Sequence, residues 1–334
     1  MERISRTSWR RTNRAALWLW ACTAWCFLAT DARAEHVVVQ TERADVDCRY
    51  IETPKSVSHP DQEKAAWENV FLPDGDVFRP LMADLKQPQT YATMQQVQAL
   101  ESKTSNTVGS VALGENFGLW SRRKEGTCDG MQVGLLMGIF SQFDLFGPST
   151  ELINTDFSIG IPFSWRSDFV SARVRVYHQS SHLGDQFLLA RPGFKNTELS
   201  FEEIEGILSF NTPHGWGRVY GGGGYLIRRE PTTLDRLKAQ WGVELRGPEI
   251  HSYLFGSTLK GGLIVTPVAA VDFKALEELK WVVNSNSAAG LEWFRPGTTR
   301  RLRLLFNYYW GYNPYGQFYS QKIQSVGFGL YLVF

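Results

Sequence analysis

The last residues of the sequence, "SVGFGLYLVF" (325–334), decide the fold. Val326, Phe328, Leu330, Leu332 and Phe334 fall on one parity, and Ser325, Gly327, Gly329 and Tyr331 on the other. Successive residues of a β-strand point to opposite faces, so this strand has one wholly apolar face. In water such a terminal strand is an open, adhesive edge. It is stable where that face meets lipid and the edge pairs into a barrel.

The same alternation recurs upstream. In "RRLRLLFNYYWGY" (300–312), Leu302, Leu304, Phe306, Tyr308, Trp310 and Tyr312 oppose Arg301, Arg303 and Asn307. In "RLKAQWGVELR" (236–246), Leu237, Ala239, Trp241, Val243 and Leu245 oppose Lys238, Gln240, Gly242 and Glu244. In "TDFSIGIPFSWR" (155–166), Phe157, Ile159, Ile161, Phe163 and Trp165 form the apolar side. Each run reaches the roughly 9–11 residues that cross a membrane as a tilted strand. Short turns ("RPGTT", "NTPHG", the Ser167-Asp168 step, "KEGTCDG") alternate with longer connections ("PYGQFYSQ", "EPTTLD", "SSHLGDQFLLARPGFKNTE"). The reading is an all-β fold: a transmembrane antiparallel β-barrel of about twelve strands over residues 89–334. The stretch 247–275 holds either one strand with an irregular lead-in or two. Phe328, Leu330, Leu332 and Phe334 then resemble the terminal signal that the barrel-insertion machinery of bacteria reads.

Residues 1–34 read as a Sec-type export signal. Arg3, Arg6, Arg10, Arg11 and Arg14 precede the apolar run "AALWLWACTAWCFLAT", and "ARA" (32–34) supplies small residues for cleavage. An N-terminal membrane anchor is the alternative, but Asp31 and Arg33 end the run early. Removing six Arg and two acids from 35 basic and 34 acidic residues leaves 29 and 32, net −3. That balance gives no field for nucleic acid. Residues 35–88 do not alternate; five prolines (54, 60, 73, 80, 88) interrupt them, and "DQEKAAWENV" (61–70) could be a short helix. They read as a periplasmic extension or plug. Cys48 lies there and Cys128 in a predicted turn; an oxidising compartment permits a disulfide between them, or two unpaired thiols. "YGGGGY" (220–225) lacks the lysine and helix of a phosphate loop, and reads as glycine accommodating close packing in a strand.

Three segments, "LPDGDVFRPLMADLKQPQ" (72–89), "QFDLFGPSTELINTDFSIGIPFSWR" (142–166) and "RVRVYHQSSHLGDQFLL" (173–189), resemble the DUF1207 family. That resemblance implies an outer-membrane barrel and assigns no activity.

The polar end of the last segment is where chemistry is expected. His178 and Ser180 share parity with Val174 and Val176, so they continue the lipid-facing column at the outer end of the strand. A neutral His can accept the proton of a Ser two residues away, and a carboxylate on the next strand, Glu202, could orient it. A lipid-facing His-x-Ser at this height resembles the sites of outer-membrane phospholipase A and of lipid A deacylase, although Ser181 and His182 follow where the phospholipase pattern has Asn and Gly. On this reading the protein is an acyl hydrolase acting on phospholipid or lipopolysaccharide of the outer leaflet. No cofactor is expected, with calcium an option only for a hydrolase. Two other readings stand beside it: a metal site from His178, His182 and Asp185, and a loop-ordering network with both histidines bonded to loop backbone. On the opposite parity, Arg173, Arg175, Arg218, Arg301 and Arg303 accompany Glu203, Glu205 and Glu244. Paired, they fill a small barrel as a structural or narrow, occluded channel; unpaired, they favour anion passage.

Overall fold

The computed structural model describes residues 66–333, apart from 126, 148–149, 195–196, 214, 253–261 and 296–297. The strands are β1 (Trp67–Phe71), β2 (Thr90–Ala99), β3 (Ser105–Lys124), β4 (Gly130–Asp144), β5 (Glu151–Ser167), β6 (Val170–Leu183), β7 (Leu199–Asn211) and β8 (Gly217–Glu230). They continue with β9 (Leu237–Arg246), β10 (Ile250–Ser252), β11 (Leu263–Leu276), β12 (Val283–Phe294), β13 (Arg301–Tyr312) and β14 (Lys322–Val333). A short helix, α1 (Asp185–Ala190), follows β6. The strand pairings are antiparallel, and β14 pairs with β2 from Ile323↔Ala99 to Leu332↔Thr90. That pairing closes β2 to β9 and β11 to β14 into a twelve-stranded barrel.

The barrel is polar inside and apolar outside. Phe157, Ile159, Ile161, Phe163, Val174, Val176, Leu304, Phe328, Leu330 and Leu332 are exposed on the outer wall, while Arg173, Arg175, Glu205, Glu244, Glu292 and Arg303 are buried within. Water would penalise this arrangement at about 25 cal/mol per Å² of exposed apolar surface; hydrocarbon does not. Among the described residues no helix is long and apolar enough to cross a membrane.

Two local expectations are corrected and one open reading is resolved. Residues 67–71 form strand β1 rather than a helix, because β3 runs well past the start of β2 and leaves free backbone between Trp120 and Lys124, which β1 pairs. The open reading of 247–275 resolves to one wall strand, β11, with the short β10 paired to its first residues. The connection after β6 begins later than the expected "SSHLGDQ" start: β6 stays in register with β5 as far as Leu183, so residues 180–183 are strand. The run 220–225 lies within β8, where a side chain at Gly222 would strike the Gly206 carbonyl and one at Gly224 the Glu203 carboxylate. Phe334, Cys48 and residues 1–34 lie outside the described residues; Cys128 is buried in the β3–β4 turn.

From Asp76 onward the segment 72–89 runs through the interior. Its bonds go to opposite sides of the wall: Val77 N–H to Gln132 Oε1 on β4 (2.9 Å), and Met82 N–H to Glu244 Oε1 on β9 (2.7 Å). Asn286 on β12 donates to the Ala83 carbonyl (2.8 Å), and Lys86 pairs with Asp156 on β5. A segment tied to β4, β5, β9 and β12 at once can only lie within the barrel.

Candidate functional site

The charged residues of inward parity are buried in the lumen, and they are paired. Glu205 accepts from Arg173 (3.0 Å), Arg175 (2.9 Å) and Lys238 (3.0 Å). Glu203 pairs with Lys238 and accepts from Tyr177 Oη (2.6 Å). Arg218 meets Glu244 at 3.4 Å. Arg301 and Arg303 converge on Glu292 (3.1 and 2.6 Å), which also takes Arg246 at 2.8 Å. Glu292 was not foreseen, although inward parity on β12 marks it: it sits between the wall residues Leu291 and Trp293. The ladder is therefore not a track of unpaired cations.

The segment 72–89 joins this network. Phe78 lies between two guanidinium groups, with Arg173 Cζ 4.9 Å and Arg218 Cζ 4.6 Å from its ring centroid. Asp84 pairs with Lys274 and accepts from Gln240 (3.2 Å). Burial works to raise the Asp84 carboxyl, yet Lys274 and Arg175 prevail and hold it near 2. Beyond Leu85 and Lys86, toward the longer loops, a cavity of about 180 Å³ remains, lined among others by Arg175, Tyr177, Lys238 and Tyr309.

The motif 178–185 divides between the two faces of the wall. Gln179 and Ser181 point inward and are buried; His178 and Ser180 point outward and are half-buried. Ser181 Oγ donates to Asn154 (2.9 Å), whose amide donates to Asp156 (2.8 Å). Asp156 accepts the Gly316 N–H (3.1 Å) of the loop joining β13 to β14, and Gln317 donates to the Ser181 carbonyl (3.3 Å). Loop ordering therefore belongs to Ser181. Among the described residues neither His178 nor His182 bonds loop backbone, because the strand carries both out along the wall.

On the outer face, Glu202 of β7 stands directly opposite His178, with its Oε1 3.1 Å from Nδ1. A bond at Nδ1 leaves Nε2 for another partner. Ser180 lies two residues along the same face, opposite Phe157 and Ser200. No hydrogen bond joins it to His178 among the described residues; such contacts often tighten only around a substrate. His182 is exposed and sets its ring edge to face against Phe157, with centroids 5.8 Å apart. Asp185 begins α1 beyond the strand. His178 and His182 are four residues apart on an extended strand, about 13 Å. Among the described residues no three His, Cys, Asp or Glu side chains are placed to hold a metal, so the metal reading is not carried.

The model of the family of proteins of unknown function designated DUF1207 matches residues 38–334. No curated protein matches the chain. Among solved structures, outer membrane phospholipase A from Escherichia coli aligns at TM-score 0.51 and 13% identity, covering 75% of this chain and 93% of that one. An active-site mutant of the same phospholipase aligns at 0.51 and 14%, covering 74% and 90%. The β domain of the Bordetella autotransporter BrkA aligns at 0.38 and 15%, covering 74% and 98%. At these identities the likeness to the phospholipase is one of fold: an outer-membrane-type barrel.

Proposed function

This chain belongs to the DUF1207 family, and from that premise we propose that it is an outer-membrane barrel with an occluded lumen. The observation that supports this most is the segment 72–89, tied to strands on opposite sides of the wall while the inward charges neutralise one another. An occluded barrel passes neither ions nor anionic solutes without displacing that segment. Purified protein in planar bilayers should show no steady conductance, and a variant lacking residues 72–88 should conduct. A steady, anion-selective current through the intact protein would remove this reading.

A second reading concerns the outer wall, and the His178–Glu202 contact favours it. Ser180 Oγ attacks the ester carbonyl of an outer-leaflet lipid while its proton passes to His178 Nε2. The proton then leaves with the departing alcohol of the lyso-lipid, and water, deprotonated by the same imidazole, releases the fatty acid from Ser180. Glu202 holds the imidazole and stabilises its protonated form. The test gives phospholipid and lipopolysaccharide to the purified protein, with and without calcium. Acyl release that disappears in His178→Ala and in Ser180→Ala, and falls at least tenfold in Glu202→Ala, supports the hydrolase. No release under any of these conditions rejects it.

A further inference from the structure

The wall has a register shift beside His178 and Glu202. Glu202 pairs with Arg228 of β8, but its neighbour Glu203 pairs with Leu226, so Ile227 is an extra residue: a β-bulge. Its effect is on direction. Up to Tyr225 the outward side chains of β8 are odd-numbered, as exposed Val219 and Tyr225 show, and unbroken alternation would send Arg228 inward with Leu226. The bulge puts Ile227 and Arg228 consecutively on the outer wall, both exposed.

The bulge is built into the surrounding structure. Arg236 donates to the Leu226 and Ile227 carbonyls at the irregular step and lies over the Tyr225 ring at 5.3 Å. Arg229 donates to the Thr232 carbonyl (2.9 Å). Two of the three arginines here are therefore used by the backbone. Arg228 has no hydrogen-bond or ion-pair partner among the described residues, and it stands directly across from the carboxylate that holds His178.

We propose that Arg228 binds the phosphate of a lipid headgroup and so positions a phospholipid or phosphorylated glycolipid with its acyl ester at Ser180. This rests on the hydrolase reading for its purpose, though not for the binding itself. Arg228 sits near the loop end of the wall, where headgroups would meet it, and a guanidinium matches a phosphate with two parallel hydrogen bonds. The strands β6 and β8 are two spacings apart, about 10 Å. The flexible Arg228 side chain and the few bonds between an ester carbonyl and the phosphorus of a glycerolipid together bridge that gap.

The experiment compares full-length wild type, Arg228→Gln and Arg228→Lys with two probes, dihexanoylphosphatidic acid and dihexanoylglycerol, which differ only by the phosphate. Binding is measured by native mass spectrometry and hydrolysis by fatty-acid release. Arg228→Gln should bind the phosphatidic acid about tenfold more weakly and the glycerol diester equally, with Arg228→Lys, a point charge without the fork, recovering only part of the difference. In hydrolysis the loss should appear in KM for the phosphatidic acid, with kcat kept. Equal binding of phosphatidic acid by wild type and Arg228→Gln overturns the proposal whether or not hydrolysis occurs. Displacement of the lipid by inorganic phosphate at equal concentration also overturns it, since the site would then serve free phosphate. Arg228-dependent binding with no hydrolysis by wild type keeps the proposal and rejects the hydrolase alone.

Discussion

At the scale of single residues, the interior depends on carboxylates that each serve several cations. Glu205 holds Arg173, Arg175 and Lys238, and Glu292 holds Arg246, Arg301 and Arg303. Removing one such acid leaves buried positive charge without compensation. Glu205→Leu should cost about 3–5 kcal/mol, read as a lower urea midpoint for the folded band on an unheated gel. Replacing the whole cluster with apolar residues of similar volume should cost far less, because it also removes the desolvation burden. Outward residues behave differently. His178→Ala and Ser180→Ala remove half-buried polar groups from a wall whose pairing is backbone, so both should shift that midpoint by under about 1 kcal/mol. Any activity they abolish is then chemical in origin, not a failure to fold.

At the scale of elements, the segment 72–89 is held by aromatic contact and by charge. Phe78 fills the gap between Arg173 and Arg218 and packs with Leu81, Ile207 and Tyr220. Phe78→Ala should weaken its seat by about 3–5 kcal/mol, the usual cost of a Phe-sized core cavity. Amide exchange should then rise across residues 76–87 while the strands stay protected. Charge adds a pH dependence. The folded Asp84 carboxyl lies below its ordinary value, so its stabilisation is full above that value and is lost as pH falls toward about 2. The same amides should therefore exchange faster between about pH 4 and pH 2, and Asp84→Asn should diminish that step. The β8 bulge is an element-scale device as well: one additional residue redirects Arg228 from one side of the wall to the other.

At the scale of the whole molecule, the outer wall is defined by its solvent. Ile159 is exposed midway along β5, with Phe157 and Ile161 on either side. Ile159→Arg should destabilise the barrel in lipid vesicles by about 2–4 kcal/mol, the depth-dependent cost of a cation at the bilayer midplane. In detergent micelles, which let the side chain reach water, the loss should be smaller. An equal effect in both media would mean that this face does not meet hydrocarbon.

The barrel is legible in the residue pattern alone, because period-2 alternation in runs of this length has one stable outcome: apolar residues to lipid, backbone paired around a closed ring. The pattern also determined the face of each residue wherever alternation is unbroken, which is why Arg173, Arg175, Glu203 and Glu205 were legible as interior charges and His178 and Ser180 as wall residues. It could not show which acid meets which cation, since Glu292 and Arg246 meet through strands whose register is set by pairing, not by local pattern. Nor could it show that residues 72–89 enter the lumen, because a proline-broken segment carries no periodicity to assign it a place. Tertiary structure alone settled the β8 bulge and the side to which Arg228 points, because one unpaired residue inverts every face beyond it and leaves no mark in the alternation before it.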